Sequence, residues 1–80
     1  MRLADSAREA GNFGYAAKLY RVLAESQPGN APLHVALGDA LTGAGEFDQA
    51  ADAYRAAIAT DRTNIDARLG LGRVAMQLRQ

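Results

Sequence analysis

Cysteine is absent from this 80-residue chain, and so is tryptophan; histidine occurs once and proline twice. Without cysteine there are no disulfides, thiolate metal ligands or cysteine nucleophile. Neither sign of charge prevails. Nine Lys+Arg balance nine Asp+Glu, for a formal charge of zero. That balance argues against a general binder of nucleic acid or anionic membrane. Long apolar runs are missing too. The uncharged stretches are broken by Gly, Pro, Asn or Thr and fall short of a membrane span. Arg2, Asp5, Arg8 and Glu9 interrupt the N-terminus, which lacks the apolar stretch of a signal peptide. The compartment stays open between cytoplasm and, after removal of an earlier signal, periplasm.

What is present is alanine. There are 18, in a chain that is 49% hydrophobic and 22% charged. This composition is globular and helix-favouring. A chain this short removes only about 60% of its unfolded surface from water, and alanine side chains are thin. Its helices must therefore approach closely to bury a core.

The sequence also matches itself at an offset of 34 residues. Leu3 falls on Leu37, Asp5 on Asp39, Ala10-Gly11 on Ala44-Gly45, and Phe13 on Phe47. Ala16-Ala17 falls on Ala50-Ala51, Tyr20-Arg21 on Tyr54-Arg55, Asn30 on Asn64, and Leu37-Gly38 on Leu71-Gly72. The register holds over the whole chain without a gap. Chance matching in an alanine-rich sequence would align alanines, and would not also align aromatics, glycines and asparagines.

Each period reads as two helices. Leu33, Leu37, Ala40, Leu41 and Ala44 recur at three- and four-residue steps and form one helix face. Gly43-Ala44-Gly45 ends that helix. Phe47, Ala50, Ala51, Tyr54, Ala57 and Ile58 form the next stripe, with Asp48 in its first turn. Thr63-Asn64 interrupts it, and Asn64 suits the cap of a following helix. The pattern predicts an all-α chain of five helices, near 2–10, 13–26, 31–43, 47–60 and 65–78.

A two-helix unit of this period resembles the tetratricopeptide repeat, whose pattern runs Trp-x2-Leu-Gly-x2-Tyr, Ala-x3-Phe, Pro. The central period supplies His34-x2-Leu37-Gly38-x2-Leu41 and Ala50-x3-Tyr54, with Arg62 where Pro is usual. The preceding one supplies Ala16-x3-Tyr20 and Pro28, and the last Arg68-x2-Leu71-Gly72-x2-Ala75. His34 and Arg68 depart from the family's Trp. The resemblance divides 1–80, as one domain, into a partial repeat 1–30, a complete repeat 31–64 and a first or capping helix 65–80. It implies a helix-turn-helix solenoid of antiparallel helices. In this register Gly38 and Gly72 are expected to let the helices of a repeat approach, and Tyr20 and Tyr54 to fill the space towards the next.

Catalytic readings find no support in the residues. His34 has no nucleophile nearby and reads as a packing or contact residue. Glu46, Asp48 and Asp52 read as a solvated helix start, and a metal site would need more ligands. Gly43-x-Gly45 and Gly70-x-Gly72 lack the context of a phosphate loop. Arg21, Arg55, Arg68, Arg73 and Arg79 are interrupted by acids or too few for a nucleic-acid face. The expectation is a non-enzyme without metal or cofactor.

The resemblance implies instead a protein or peptide partner held on the concave surface that the first helix of each repeat lines. Carried over by register, that groove comprises Asp5, Arg8 and Glu9, then Val35, Ala36, Asp39 and Thr42, then Leu69, Gly70, Arg73 and Met76. Members that hold a peptide's terminal carboxylate use Lys, Asn and Arg. Here those positions carry Met1, Asp5, Ala36, Asp66 and Gly70, so carboxylate capture is not expected. The last helix is apolar on more than one side, and stacked repeats usually number about three. Either the chain continues past Gln80 or the helix pairs with another copy. Leu71, Val74 and Leu78 are the candidate self-association residues, and an oligomer built through this helix is the alternative function. The Ala/Gly/Arg-rich wording, with Lys18 as its one lysine, further resembles bacterial envelope and secretion accessory proteins, including those of tight-adherence pili.

Overall fold

The computed structural model describes residues 2–79, the side chains of Arg2, Ala4 and Ser6 excepted. Its elements are α1 (Arg2–Glu9), α2 (Phe13–Ser26), α3 (Ala31–Gly43), α4 (Phe47–Thr60) and α5 (Ile65–Arg79), with no strand among the described residues. The chain is all-α, as the periodicity predicts, and three of the five helices keep the expected bounds.

Two kinds of turn alternate, each recurring at the repeat offset. After α1 and α3 the chain turns through Gly11 (φ 83°) and Gly45 (φ 81°), a left-handed conformation that glycine adopts without steric cost. The Asn12 N–H then reaches back to Ala7 O at 2.8 Å, and Glu46 N–H to Leu41 O at 2.9 Å. These bonds satisfy carbonyls that the helix ends leave unpaired. After α2 and α4 the turns are closed by Asn30 N–H on Gln27 O and Asn64 N–H on Asp61 O, at 3.0 and 3.1 Å. The two asparagines then cap the next helices. Leu33 N–H donates to Asn30 Oδ1 at 3.3 Å, and Ala67 N–H to Asn64 Oδ1 at 2.9 Å. Asn12 caps α2 likewise, whereas Glu46, at the same position before α4, makes no side-chain cap bond.

Each helix packs on the next in the chain, and α3 also touches α5. The core is mostly alanine, with Tyr20, Leu33 and Val74 as its largest fully buried side chains. Close approach depends on glycine where a ring must pass. A Cβ on Gly38 would lie 2.7 Å from the Tyr54 ring, and one on Gly70 would also collide with that ring. Tyr54 of α4 is thus held between α3 of its own repeat and α5 of the next. Phe13 sits on Gly43 in the same manner, with a Cβ there falling 2.5 Å from its ring.

Three expectations need correction. Gly72 is not a close-contact glycine, since nothing lies within 4 Å of a Cβ built there; the tight glycine of α5 is Gly70. Gly38 is tight because α4 follows it, and among the described residues no helix follows α5. Ala44 is exposed, because it is the C-cap of α3 and no longer belongs to the apolar face. Val74 is 0% exposed within the core, so it is not open to a second copy.

Candidate functional site

Asp5 and Asp39 lie one period apart, and each receives a hydrogen bond from the tyrosine fifteen residues on: Tyr20 Oη donates to Asp5 Oδ1, and Tyr54 Oη to Asp39 Oδ1 at 2.5 Å. Burial first, and the bond to the carboxylate second, pushes both phenols up to about 12. They therefore stay protonated donors at neutral pH, and the bond ties the second helix of a repeat to the first. Arg8 links the two sets. Its guanidinium carbon lies 5.8 Å from the Tyr20 ring centroid, and Nη1 is 4.0 Å from Asp39 Oδ2. That ion pair is well exposed and contributes little to stability.

Arg8, Val35, Ala36 and Asp39 come together around one open cleft, completed by Pro32, Asn64 and Asp66. Thr42, Arg73 and Met76 line a second, with Phe47 and Gln77. Thr42 Oγ1 donates to Gly38 O at 2.8 Å, so its hydroxyl proton is already engaged. Leu69 is 54% exposed and Met76 66%. Leu69 lies one turn from both Asp66 and Arg73, and so shares the face that joins the clefts. Ala36 is buried and forms cleft floor only. Glu9 is exposed at the end of α1 and Asp5 is half-buried beside Tyr20; neither lines a cleft. Gly70 lies buried beneath Tyr54, away from this face.

Pro32, Asn64, Phe47 and Gln77 are outside the sequence-derived groove because they come from helix starts, from the second helix of a repeat and, for Gln77, from the end of α5. Register alone assigns the groove to the middle of first helices. Of the carboxylate-holding positions, Met1 lies outside the described residues. Asp5 is taken up by Tyr20 and Asp66 is exposed acid.

His34 has a partner that the sequence also encodes. Its Nε2 lies 2.8 Å from Pro28 O, and one period on Arg68 donates to Arg62 O through Nε at 2.9 Å and Nη2 at 2.6 Å. Two different side chains at one register position each tie the helix start to the preceding turn. Among the described residues, no group of three or more His, Asp or Glu is placed to hold a metal ion. No described helix is long and apolar enough to cross a membrane.

On the opposite surface a cleft between α2 and α4 is lined by Gly14, Lys18, Arg21, Glu46 and Gln49, among others. Arg21 Nη2 donates to Gln49 Oε1 at 2.7 Å across it, linking adjacent repeats.

A family model, tetratricopeptide repeat, matches residues 1–65 and again residues 35–80. No curated protein matches the chain.

Proposed function

The chain belongs to the tetratricopeptide repeat family, and from that membership we propose a non-enzymatic interaction module that holds a segment of another protein along α1, α3 and α5. Repeats of this family generally mediate protein–protein contact. The observation that carries the reading is the pair of clefts along the first helices. Asp66 borders the first, where Asp39 is paired with Arg8, and Arg73 borders the second. Exposed Leu69 and Met76 lie between and beside them. A segment suited to this face carries a basic residue towards Asp66, an apolar residue against Val35 and Leu69, and an acid towards Arg73. Apolar contacts would supply most of the affinity and the charges its orientation. The resemblance to envelope and secretion accessory proteins directs a partner screen towards such assemblies.

The test is selection of peptides on the chain from a random display library, followed by calorimetry on groove and outer-face variants. Leu69→Glu and Arg73→Glu are expected to weaken selected peptides by about tenfold or more, which is ~1.4 kcal/mol. Arg21→Ala on the opposite face should leave binding unchanged. Failure to select any peptide, or equal loss in Arg21→Ala, rejects the groove.

A further inference from the structure

Asp39 has a partner on each carboxylate oxygen. Oδ1 accepts from Tyr54 Oη at 2.5 Å, and Oδ2 lies 4.0 Å from Arg8 Nη1. The two contacts differ in kind. The first recurs one period earlier, where Tyr20 Oη donates to Asp5 Oδ1, and so belongs to the repeat. The second does not recur. One period on, Arg8 becomes Thr42 and Asp39 becomes Arg73, and α3 still meets α5 without an ion pair there. Stacking of the first helices therefore does not need the pair between Arg8 and Asp39.

The pair is also easily opened. The Arg8 side chain is 35% exposed and that of Asp39 48%, so water competes for both. Arg8 has a second place to go. Asp5 lies three residues earlier on α1, a spacing at which helical side chains meet, and its Oδ2 is not taken by Tyr20. Tyr20 draws the same two residues together, since its hydroxyl is bonded to Asp5 and its ring centroid lies 5.8 Å from the Arg8 guanidinium carbon. Turning from Asp39 to Asp5 exchanges one carboxylate partner for another. It leaves Asp39 Oδ2 on a cleft whose other lining is Pro32, Val35, Ala36, Asn64 and Asp66. That cleft then holds two carboxylates and no cation.

What suits the opened seat is what held it: a cation on an apolar stem, with Pro32 and Val35 beside the stem. An anion would be repelled by Asp39 and Asp66. We propose that Asp39 receives a basic side chain of the bound segment, and that Arg8 occupies this seat in the free chain and yields it by turning to Asp5. Arg8 is then a specificity-determining residue. A segment without a basic side chain leaves the pair closed. One that carries it must displace Arg8, and its apparent affinity falls by the share of chains in which Asp39 is covered. The inference rests on the groove reading above, and adds to it the chemistry of one subsite and the residue that guards it.

The probe is the blocked tripeptide acetyl-Leu-Arg-Leu-amide, with a second in which citrulline, an uncharged isostere, replaces the arginine. Each is titrated into isotope-labelled chain and followed by amide shifts. Arg8→Gln should bind the arginine probe at about threefold lower concentration than the wild type, with shifts at Val35, Ala36, Asp39 and Asp66. A purely structural Arg8 would give no gain that depends on the charge of the probe, and the citrulline probe should show none. Lys18→Gln, which removes the same charge on the opposite face, should bind as wild type. Asp39→Asn keeps an acceptor for Tyr54 and should abolish the gain from Arg8→Gln. The proposal is overturned if Arg8→Gln binds no tighter, if its gain persists with citrulline or in Asp39→Asn, or if Lys18→Gln matches it. Shifts confined to Thr42, Leu69 and Arg73 and indifferent to Arg8→Gln overturn this inference and leave the groove standing. No saturating shift with either probe in any variant overturns it too, and the groove is then judged by peptide selection alone.

Discussion

A single ring shows how little tolerance the fold has at its contacts. Tyr54 lies between Gly38 and Gly70, so a methyl group added on either side cannot be relieved by moving the ring away. Replacing Gly by Ala in a helix ordinarily stabilises by up to ~1 kcal/mol through backbone entropy. At Gly38 that gain is opposed by overpacking worth about 1–3 kcal/mol. At Gly72 nothing opposes it. The expected outcome in urea is that Gly38→Ala lowers the unfolding midpoint and Gly72→Ala raises it. These two residues occupy the same motif position, so the sequence pattern treats them alike. A Gly72→Ala midpoint as low as that of Gly38→Ala would contradict the packing described. The same contrast marks where residue-level reading stopped. The tyrosines and their aspartates were visible as repeated letters, but not that each pair is a hydrogen bond. Val74 looked available because helical spacing shows that α5 has two apolar sides without showing which one α4 covers.

At the level of the element, helix ends were the most legible feature because each has a local chemical cause. Gly11 and Gly45 set the left-handed stops, and Asn12, Asn30 and Asn64 the starts. Ala44 was misplaced by this logic, since periodicity cannot tell the last helical residue from the cap that follows it. The ties from His34 and Arg68 were missed because the residues share no chemistry beyond an N–H donor. Their partners, Pro28 and Arg62, are also one period apart, and that pairing is the signal that could have revealed them. The weak start is α4. Glu46 occupies the cap position without accepting a backbone bond from the first turn, and its counterpart one period earlier is Asn12. Glu46→Asn imports the chain's own solution and should raise stability by about 1 kcal/mol, the usual worth of a good N-cap. Its side-chain contact with Gln49, at 3.3 Å and exposed, offsets little of that. Chemical denaturation of the variant checks this, and an unchanged midpoint would mean that water already satisfies the first turn.

For the whole molecule, size and stacking decide the behaviour. The body measures 30 × 28 × 16 Å, and among the described residues α1 and α5 are the first and last helices of the stack. In a linear stack, stability is close to a sum of repeat and interface terms. Lengthening the array should therefore stabilise it if the observed contacts are repeatable ones. Inserting a second copy of residues 31–64 after Asn64 provides the test, and the structure specifies one adjustment. In the inserted copy, position 36 stands where Gly70 now receives Tyr54, so it must carry Ala36→Gly to keep the ring seated between two glycines. No such change is needed for Phe47, which would meet the inserted Gly43 just as Phe13 meets Gly43 here. The lengthened chain is expected to unfold at higher urea. Its denaturant slope should rise by roughly two-fifths, in proportion to the added surface, if it unfolds as one unit. The same insertion without Ala36→Gly should gain less. Equal stability of the two would show that Tyr54 tolerates a methyl group at that seat, and that its two glycines do not control the spacing of the stack.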